Sequence, residues 1–552
     1  MGKWKSILKL RPFLKKYRLI LVLGIVGILF SSVLSTPIPY LTGLLLDKVL
    51  MGSKSYQQLY LYIGGIGVLY LLQYVVSLLS KNQFIRMNSS VVNEMRTTVM
   101  KKVLDLPMSY LSTTQKGYVQ QRISECDSVG SIFSPGVITI FLSIADALLA
   151  IGTMFAVNWK LALLVLILTP IFFFTSKASA KGFMKNTKDM MESAGVLSGE
   201  SFEIMNGIEE IKVLNGKERQ LAKFRDKTKE LSGHSIRQGR SINRFIANIG
   251  LINTAGTLLI LLASGILILQ GQFTVGLYTS FSLYSAKIFA STQGIATLGT
   301  TLKPVCLSIE RLYELLDKDD ENTGKSEKLG SAVKSIEFQN VGFRYQENLP
   351  AVLDGVSFEF KKGNRVLVQG ENGCGKTTLI KLLLGLYEPT SGTIRLNGVD
   401  SKSLNRESLR EHIGIVSQSI FLFRGTVLDN ILYGQNTKSR QDVETLVKSL
   451  RLDGYIARLA NGLDTEISQN SAGVSGGQAQ IIAFLRALLS NKEVIILDEP
   501  VSNVDAETRD IILQLLKERR FGGILIVISH QTEGMDFLRK SITLGKSNGL
   551  KL

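Results

Sequence analysis

The run Gly370-Glu371-Asn372-Gly373-Cys374-Gly375-Lys376-Thr377-Thr378 fits the pattern G-x-x-x-x-G-K-[ST]. Glycines at this spacing let successive backbone N–H groups turn inward around a triphosphate, and a helix opening in the loop adds the positive end of its dipole. In that setting Lys376 reaches the β- and γ-phosphates and the Thr377 hydroxyl ligates Mg²⁺. A chance glycine-rich turn is the competing reading. It does not account for the strand-like run Val366-Leu367-Val368-Gln369 before the loop, or for the helix-like run Leu379–Leu384 after it. A second chemical pair lies 122 residues beyond Lys376, where the apolar run Val494-Ile495-Ile496-Leu497 ends in Asp498-Glu499. An acid at the tip of a buried strand is where a phosphoryl-transfer site holds Mg²⁺, directly or through water. Glu499 beside it is placed to orient or deprotonate an attacking water.

These residues need a frame. From Ser335 onward the pattern alternates strands with helices, an α/β signature. Residues 316–334 are charged and polar and read as a linker. Residues 1–315 read differently, as an α-helical region with six apolar spans near 19–46, 59–79, 132–157, 161–176, 245–270 and 275–298. Each approaches the ~20 residues that cross a ~30 Å hydrocarbon core. The fourth is short as drawn and is expected to continue as helix past Ser176. Thr36-Pro37-Ile38-Pro39 should bend the outer part of the first. The expected fold is thus a six-span transmembrane domain fused to an α/β nucleotide-binding domain over 335–552.

Composition agrees with a chain that is part membrane and part aqueous: 45% of the 552 residues are apolar and mean hydropathy is +0.19. The basic start of the chain is not a signal peptide, because the apolar run after it is too long and no small-residue cleavage site closes it. The net charge of +18 could indicate nucleic acid, anionic lipid or loop topology. Its distribution favours the last. Seven Lys and Arg precede the first span, and the long segments 80–131 and 177–244 are rich in both, whereas the short connections near 47–58, 158–160 and 271–274 hold few. The positive-inside rule puts both termini and both long segments in the cytosol, and no nucleic-acid partner is expected. Those long segments have apolar residues at helical spacing, as in Ser201–Leu214. Three cysteines, far apart, form no disulfide framework or metal motif.

Two charges fall inside expected spans. Asp146 lies 11 residues from Val157 and Lys287 lies 12 from Val275, so each is roughly 17 Å deep at 1.5 Å per residue. Such charges cost several kcal/mol unless they meet a partner or water. Either the two pair or both line a polar substrate cavity, unless the spans are drawn off-centre.

Ser475-Gly476-Gly477-Gln478 resembles the signature of ATP-binding cassette (ABC) proteins. Other elements of that family follow in order. Tyr345, 31 residues before Lys376, looks like the aromatic that stacks on adenine. Gln418 looks like the glutamine that joins metal and γ-phosphate to the membrane part, Asp505 like the D-loop aspartate, and His530 like the switch histidine. His234 and His412 have no motif around them and are taken as structural. The N-terminal half looks like the membrane domain of an exporter-type half-transporter. The resemblance implies that Gly370–Thr378, Tyr345 and Asp505 bind ATP, that Thr377, Gln418 and Asp498 hold Mg²⁺, and that Glu499, His530, Lys376 and Gln418 serve catalysis. It also implies that Ser475–Gln478 of one copy completes the ATP site of another. One membrane half and one cassette then mean a dimer, economically a homodimer, integral to the plasma membrane of a bacterial cell.

The chain departs from the family pattern at Val474 for Leu, at Ala479 and Ile481 for basic residues, and at Ser468-Gln469-Asn470-Ser471 for Gly-Glu-Arg-Gly. The last bears on coupling rather than on hydrolysis. The expected activity is ATP-driven export of a peptide, a lipid-like amphiphile or a hydrophobic drug. With no added N-terminal protease domain in view, any peptide leader would be removed elsewhere. The alternatives are an importer on the same fold, an ATP-gated channel, against which Glu499 argues, and a soluble cassette ATPase, against which the spans argue.

Overall fold

A computed structural model describes residues 5–114, 116–468, 473–502, 504–518, 522–530 and 533–545. The chain divides into two compact units, Met1–Leu104 with Gln115–Lys318, and Asp105–Thr114 with Asp319–Leu552.

The first unit is helical. Short helices α1 (Lys5–Leu8) and α2 (Arg11–Lys15) lead into α3 (Arg18–Ser35) and α4 (Pro37–Leu44), which end in a π-helical turn, Leu45–Ser53. Then come α5 (Tyr56–Asp105), α6 (Met108–Thr113, part of the second unit), α7 (Lys116–Gly130), α8 (Pro135–Val157), α9 (Trp159–Asn206), α10 (Ile208–Val213), α11 (Lys217–Leu269) and α12 (Val275–Leu316). Local chemistry sets the starts. Asn158 caps α9 by accepting from Lys160 and Leu161 N–H, and Thr274 caps α12 by accepting from Leu277 N–H. The 50 residues of α5 span about 75 Å at 1.5 Å each, far more than a ~30 Å core. The helix expected to continue beyond the second span is therefore present.

Four stretches among the described residues are long and apolar enough to cross a membrane: Arg18–Ser53, Tyr56–Asp105, Gly117–Val157 and Lys217–Leu269. The fourth and sixth expected spans lie within α9 and α12. Only 6% of the most apolar window of α5 is buried within the chain, and Tyr60, Leu61 and Leu71 point outward. Water does not tolerate an apolar surface of that extent, so lipid or another copy must cover it.

The second unit is α/β. Its strands are β1 (Ser335–Phe343), β2 (Leu353–Lys361), β3 (Arg365–Gly370), β4 (Ser391–Leu396), β5 (Val399–Asp400), β6 (Ile413–Val416), β7 (Gly425–Thr426), β8 (Glu466–Ile467), β9 (Val494–Asp498), β10 (Ile524–Ile528) and β11 (Lys540–Leu544). Its helices after α6 are α13 (Lys376–Leu383), α14 (Arg406–Glu411), α15 (Val427–Leu432), α16 (Arg440–Ser449), α17 (Asp453–Ile456), α18 (Gly476–Leu489) and α19 (Ala506–Glu518). An antiparallel sheet runs β2-β1-β4-β5, and an all-parallel sheet runs β11-β3-β10-β9-β6. Strands β9 and β10 are buried along their whole length, which is why both read as unbroken apolar runs. From Asp319 on, the expected linker is part of this unit. Of the departing segment 468–471, Gln469, Asn470 and Ser471 lie outside the described residues.

Candidate functional site

Parallel strands point all their C-terminal ends to one edge, where α/β folds bind ligands. Here that edge collects the phosphate loop after β3, Gln418 after β6, Asp498-Glu499 at the end of β9 and His530 after β10. The register is tight. Ile528 lies opposite both Val368 and Asp498, and the Glu499 N–H donates to Ile528 C=O at 2.9 Å.

The loop needs its glycines. Gly370 has φ +155° and a Cβ there would stand 2.6 Å from the Leu544 carbonyl. Gly375, which opens α13, has φ +99°, a conformation that strains any residue with a Cβ. Lys376 is buried, and its Nζ donates to Gly370 C=O at 2.6 Å and Glu371 C=O at 3.1 Å. Thr377 and Gln418 are exposed at the same edge. Cys374 is buried rather than open to reagents, which argues against the alkylation sensitivity that its place beside the phosphates suggests.

Asp498 and Glu499 are 5% and 6% exposed. Burial first, then the adjacent Glu499 carboxylate, push the Asp498 carboxyl up to about 6 against the pull of Lys376. Glu499 sits at φ +52°, unusual for a residue with a side chain. His530 Nδ1 lies 2.9 Å from either carboxylate oxygen, but only the direction to Oε1 makes a hydrogen bond. Oε2 is buried without a hydrogen-bond partner. A buried, unsatisfied carboxylate oxygen calls for a further donor, and a water meets that need. The neighbouring Asp498 carboxylate, Thr377 hydroxyl and Gln418 amide are hard oxygens of the kind that suit Mg²⁺.

Tyr345 is 38% exposed. Its ring meets Phe343 and Tyr387 edge-on at 4.9 and 5.3 Å, and its hydroxyl lies 3.1 Å from Thr378 Oγ1. Lys381 Nζ stands 5.4 Å over the same ring. The aromatic is thus held beside the phosphate loop by partners that no motif announces.

Ser475 caps α18: its Oγ accepts from Gln478 N–H at 3.2 Å, while Gln478 Oε1 accepts from Ser475 N–H at 2.8 Å. Gly476 and Gly477 form the first turn, whose N–H groups have no partner inside the helix. Asp505 caps α19 by accepting from Thr508 N–H and Oγ1 at 2.8 and 2.9 Å, which holds its carboxyl below the usual range. A Cβ on Gly477 would come within 2.8 Å of Asp505 Oδ2, so the two elements pack backbone to carboxylate. Sequence reading missed Gln480, buried in α18, whose Nε2 donates to Pro500 C=O at 3.0 Å and ties the signature helix to the segment after Glu499. A polar amide between Ala479 and the apolar run Ile481–Leu485 was its only signal.

Asp146 and Lys287 come together in the first unit through a third residue. Ser35 Oγ donates to Asp146 Oδ1 at 2.9 Å, and Lys287 Nζ donates to Ser35 Oγ and Ser35 C=O, each at 2.9 Å. The carbonyl is significant. In an unbroken helix it would accept from the N–H of residue 39, and Pro39 has none. Lys287 therefore caps the bend, joined on the same face of α12 by Tyr284, which donates to Thr36 C=O at 2.6 Å, and by Ser280, which donates to Pro39 C=O at 2.9 Å.

Residues 21–292 match the family model of the ABC transporter transmembrane region, and residues 353–502 match the family model described as ABC transporter. Among curated proteins, the chain is 29% identical over 542 residues to the uncharacterized ABC transporter ATP-binding protein YknV of Bacillus subtilis (strain 168), covering 96% of this chain and 88% of that protein. It is 27% identical over 527 residues to the ATP-dependent lipid A-core flippase of Albidiferax ferrireducens, covering 95% and 90%. Among solved structures, a bacterial Atm1-family ABC exporter with ATP bound has a similar fold, with a TM-score of 0.86, 21% identity, and 96% and 95% of the two chains covered.

Proposed function

This chain belongs to the ABC transporter superfamily, with a transmembrane region and an ATP-hydrolysing domain fused in one polypeptide, and on that premise we propose that it is an exporter-type half-transporter that exports a lipid-like or amphiphilic molecule. One observation carries the motor: the buried Glu499, with both carboxylate oxygens 2.9 Å from His530 Nδ1 and Oε1 hydrogen-bonded to it, stands on the same sheet edge as the phosphate loop. Glu499 takes the proton of the attacking water. His530 keeps that carboxylate oriented and meets the γ-phosphate. Lys376 leaves the loop carbonyls for the phosphates, and Tyr345 stacks on the adenine. Asp498, Thr377 and Gln418 would hold Mg²⁺, which supplies positive charge to the phosphate oxygens.

The second copy contributes the first turn of α18, Ser475–Gln478, as an anion site for the γ-phosphate, so the working unit is a homodimer. The membrane region has six spans with both termini in the cytosol, as the loop charges require. ATP closes the cassettes and favours an outward-facing cavity, and hydrolysis resets it. A lipid-like substrate is favoured by the relatives named as lipid A-core flippases and by the small number of charges on the spans. Asp146 and Lys287 are the charges that such a substrate would meet. The test is transport: purified protein in liposomes, with a fluorescent phospholipid scored by dithionite quenching. ATP should increase movement from the leaflet facing the ATP-binding domain to the opposite leaflet. Movement in the reverse direction, or none for any of lipid, dye or peptide, overturns the reading.

A further inference from the structure

Helix α13 begins in the phosphate loop and ends at Leu383, where the last carbonyls lack partners within the helix. One of them, Leu384 C=O, accepts from Arg410 Nε at 3.1 Å. The rest of the Arg410 fork grips Glu321: Nη1 to Oε1 and Nη2 to Oε2, both at 2.8 Å. Glu321 in turn donates its backbone N–H to Asp105 C=O at 2.8 Å. Asp105 is the last residue of the 50-residue α5 and the first of the excursion Asp105–Thr114 that belongs to the second unit. Three residues earlier on each segment, Lys102 Nζ donates to Lys318 C=O. The 102–318 bond lies within the first unit and the 105–321 bond within the second. Arg410 itself is held from behind by Lys492 Nζ, which donates to Arg410 C=O at 2.8 Å, and its helix leads through β6 to Gln418.

This arrangement is stiffer than a surface ion pair. Such pairs are loose and worth little, but here the carboxylate side chain is only 14% exposed and is taken by both prongs of a planar guanidinium. We propose that Arg410 and Glu321 are positioning residues that couple the far end of the phosphate-loop helix to the ends of α5 and α12. Nucleotide binding at one end of α13 is thereby passed to the membrane helices by a route separate from Gln418. The proposal rests on the reading of an ATP-switched dimer.

A residue that only anchors the linker would change stability and nothing else, so the test reads conformation. Gln272, exposed before α12, is replaced by cysteine and spin-labelled in both copies, in the Glu499→Gln background and in lipid nanodiscs. The three native cysteines are buried and leave labelling specific. ATP should shift the inter-label distance in the parent. In Arg410→Lys, which keeps the charge but loses the fork, and in Glu321→Gln, the equilibrium constant of that shift should fall about 5–100-fold, with ATP affinity within error of the parent at a temperature well below the melting point of each variant. Two variants guard against misfolding of either. A parent that shifts together with variants that shift as fully overturns the coupling role alone. A parent that does not shift overturns the switched-dimer reading and the coupling with it.

Discussion

Glu499→Gln changes one buried oxygen to an amide and leaves its shape. In this site the glutamine Oε1 can still accept from His530 Nδ1, so orientation is kept. The nitrogen then occupies the place of Oε2, the buried atom without a hydrogen-bond partner. An amide nitrogen cannot take a proton from water, so the loss is that of a general base, about 10²–10⁴-fold in turnover, or about 3–5 kcal/mol of barrier. Stability should move the other way. Glu499 is the second cause, after burial, that lifts the Asp498 carboxyl up to about 6, and removing its charge relieves that repulsion. The variant should therefore bind ATP at least as tightly, melt slightly higher, and hydrolyse very slowly in a single-turnover assay in lipid. Hydrolysis within tenfold of the parent would refute the assignment of the base, and loss of ATP binding would refute the argument that the side chain does not hold nucleotide.

Asp498→Asn gives a pH-dependent prediction. A carboxyl raised from 3.8 to about 6 holds its proton more tightly when folded, so the folded state loses stability as pH rises from about 4 to about 6, by about 3 kcal/mol in all. The asparagine variant, melted in EDTA without nucleotide, should exceed the parent above pH 6 and converge with it near pH 4. For Asp146 and Lys287, the two 2.9 Å bonds to Ser35 bound their separation at about 6 Å and their coupling at about 3 kcal/mol for an effective dielectric near 20. A melting-temperature cycle of Asp146→Asn, Lys287→Met and the pair should be non-additive, and simple additivity would remove the interaction. Gly477→Ala would put a Cβ 2.7 Å from Thr508 Oγ1 and 2.8 Å from Asp505 Oδ2. Steady-state ATPase should drop about 10–100-fold as the start of α18 is displaced, and a parent-like rate would show that the contact yields freely.

Residues that act through backbone conformation or local periodicity were legible in the chain. The loop Gly370–Thr378 could be read because only glycine tolerates the φ of Gly375 and the close carbonyl at Gly370. The buried strands β9 and β10 could be read because parallel strands covered on both faces are uninterrupted apolar runs, and Asp498-Glu499 and His530 were located from their ends. The helix beyond the apolar stretch was legible too: α5 runs for 50 residues because charged residues on a helix face keep its period without its hydropathy.

Partners distant in sequence were not legible. Nothing near residue 35 announces that Ser35 joins Asp146, 111 residues on, to Lys287, 252 residues on. Depth counting placed both charges at one level, but the bend at Pro39 decided what Lys287 touches, since a carbonyl robbed of its N–H partner draws the nearest donor. The polar stretch 316–334 read only as a linker, because polarity alone does not reveal a complementary surface. Arg410, 89 residues from Glu321, supplies it. The sequence by itself determined the motor, because phosphate chemistry demands particular residues at short, local spacings. Only tertiary structure decided how its parts are held and to what they connect, because those hydrogen bonds join helices whose neighbours are set by packing.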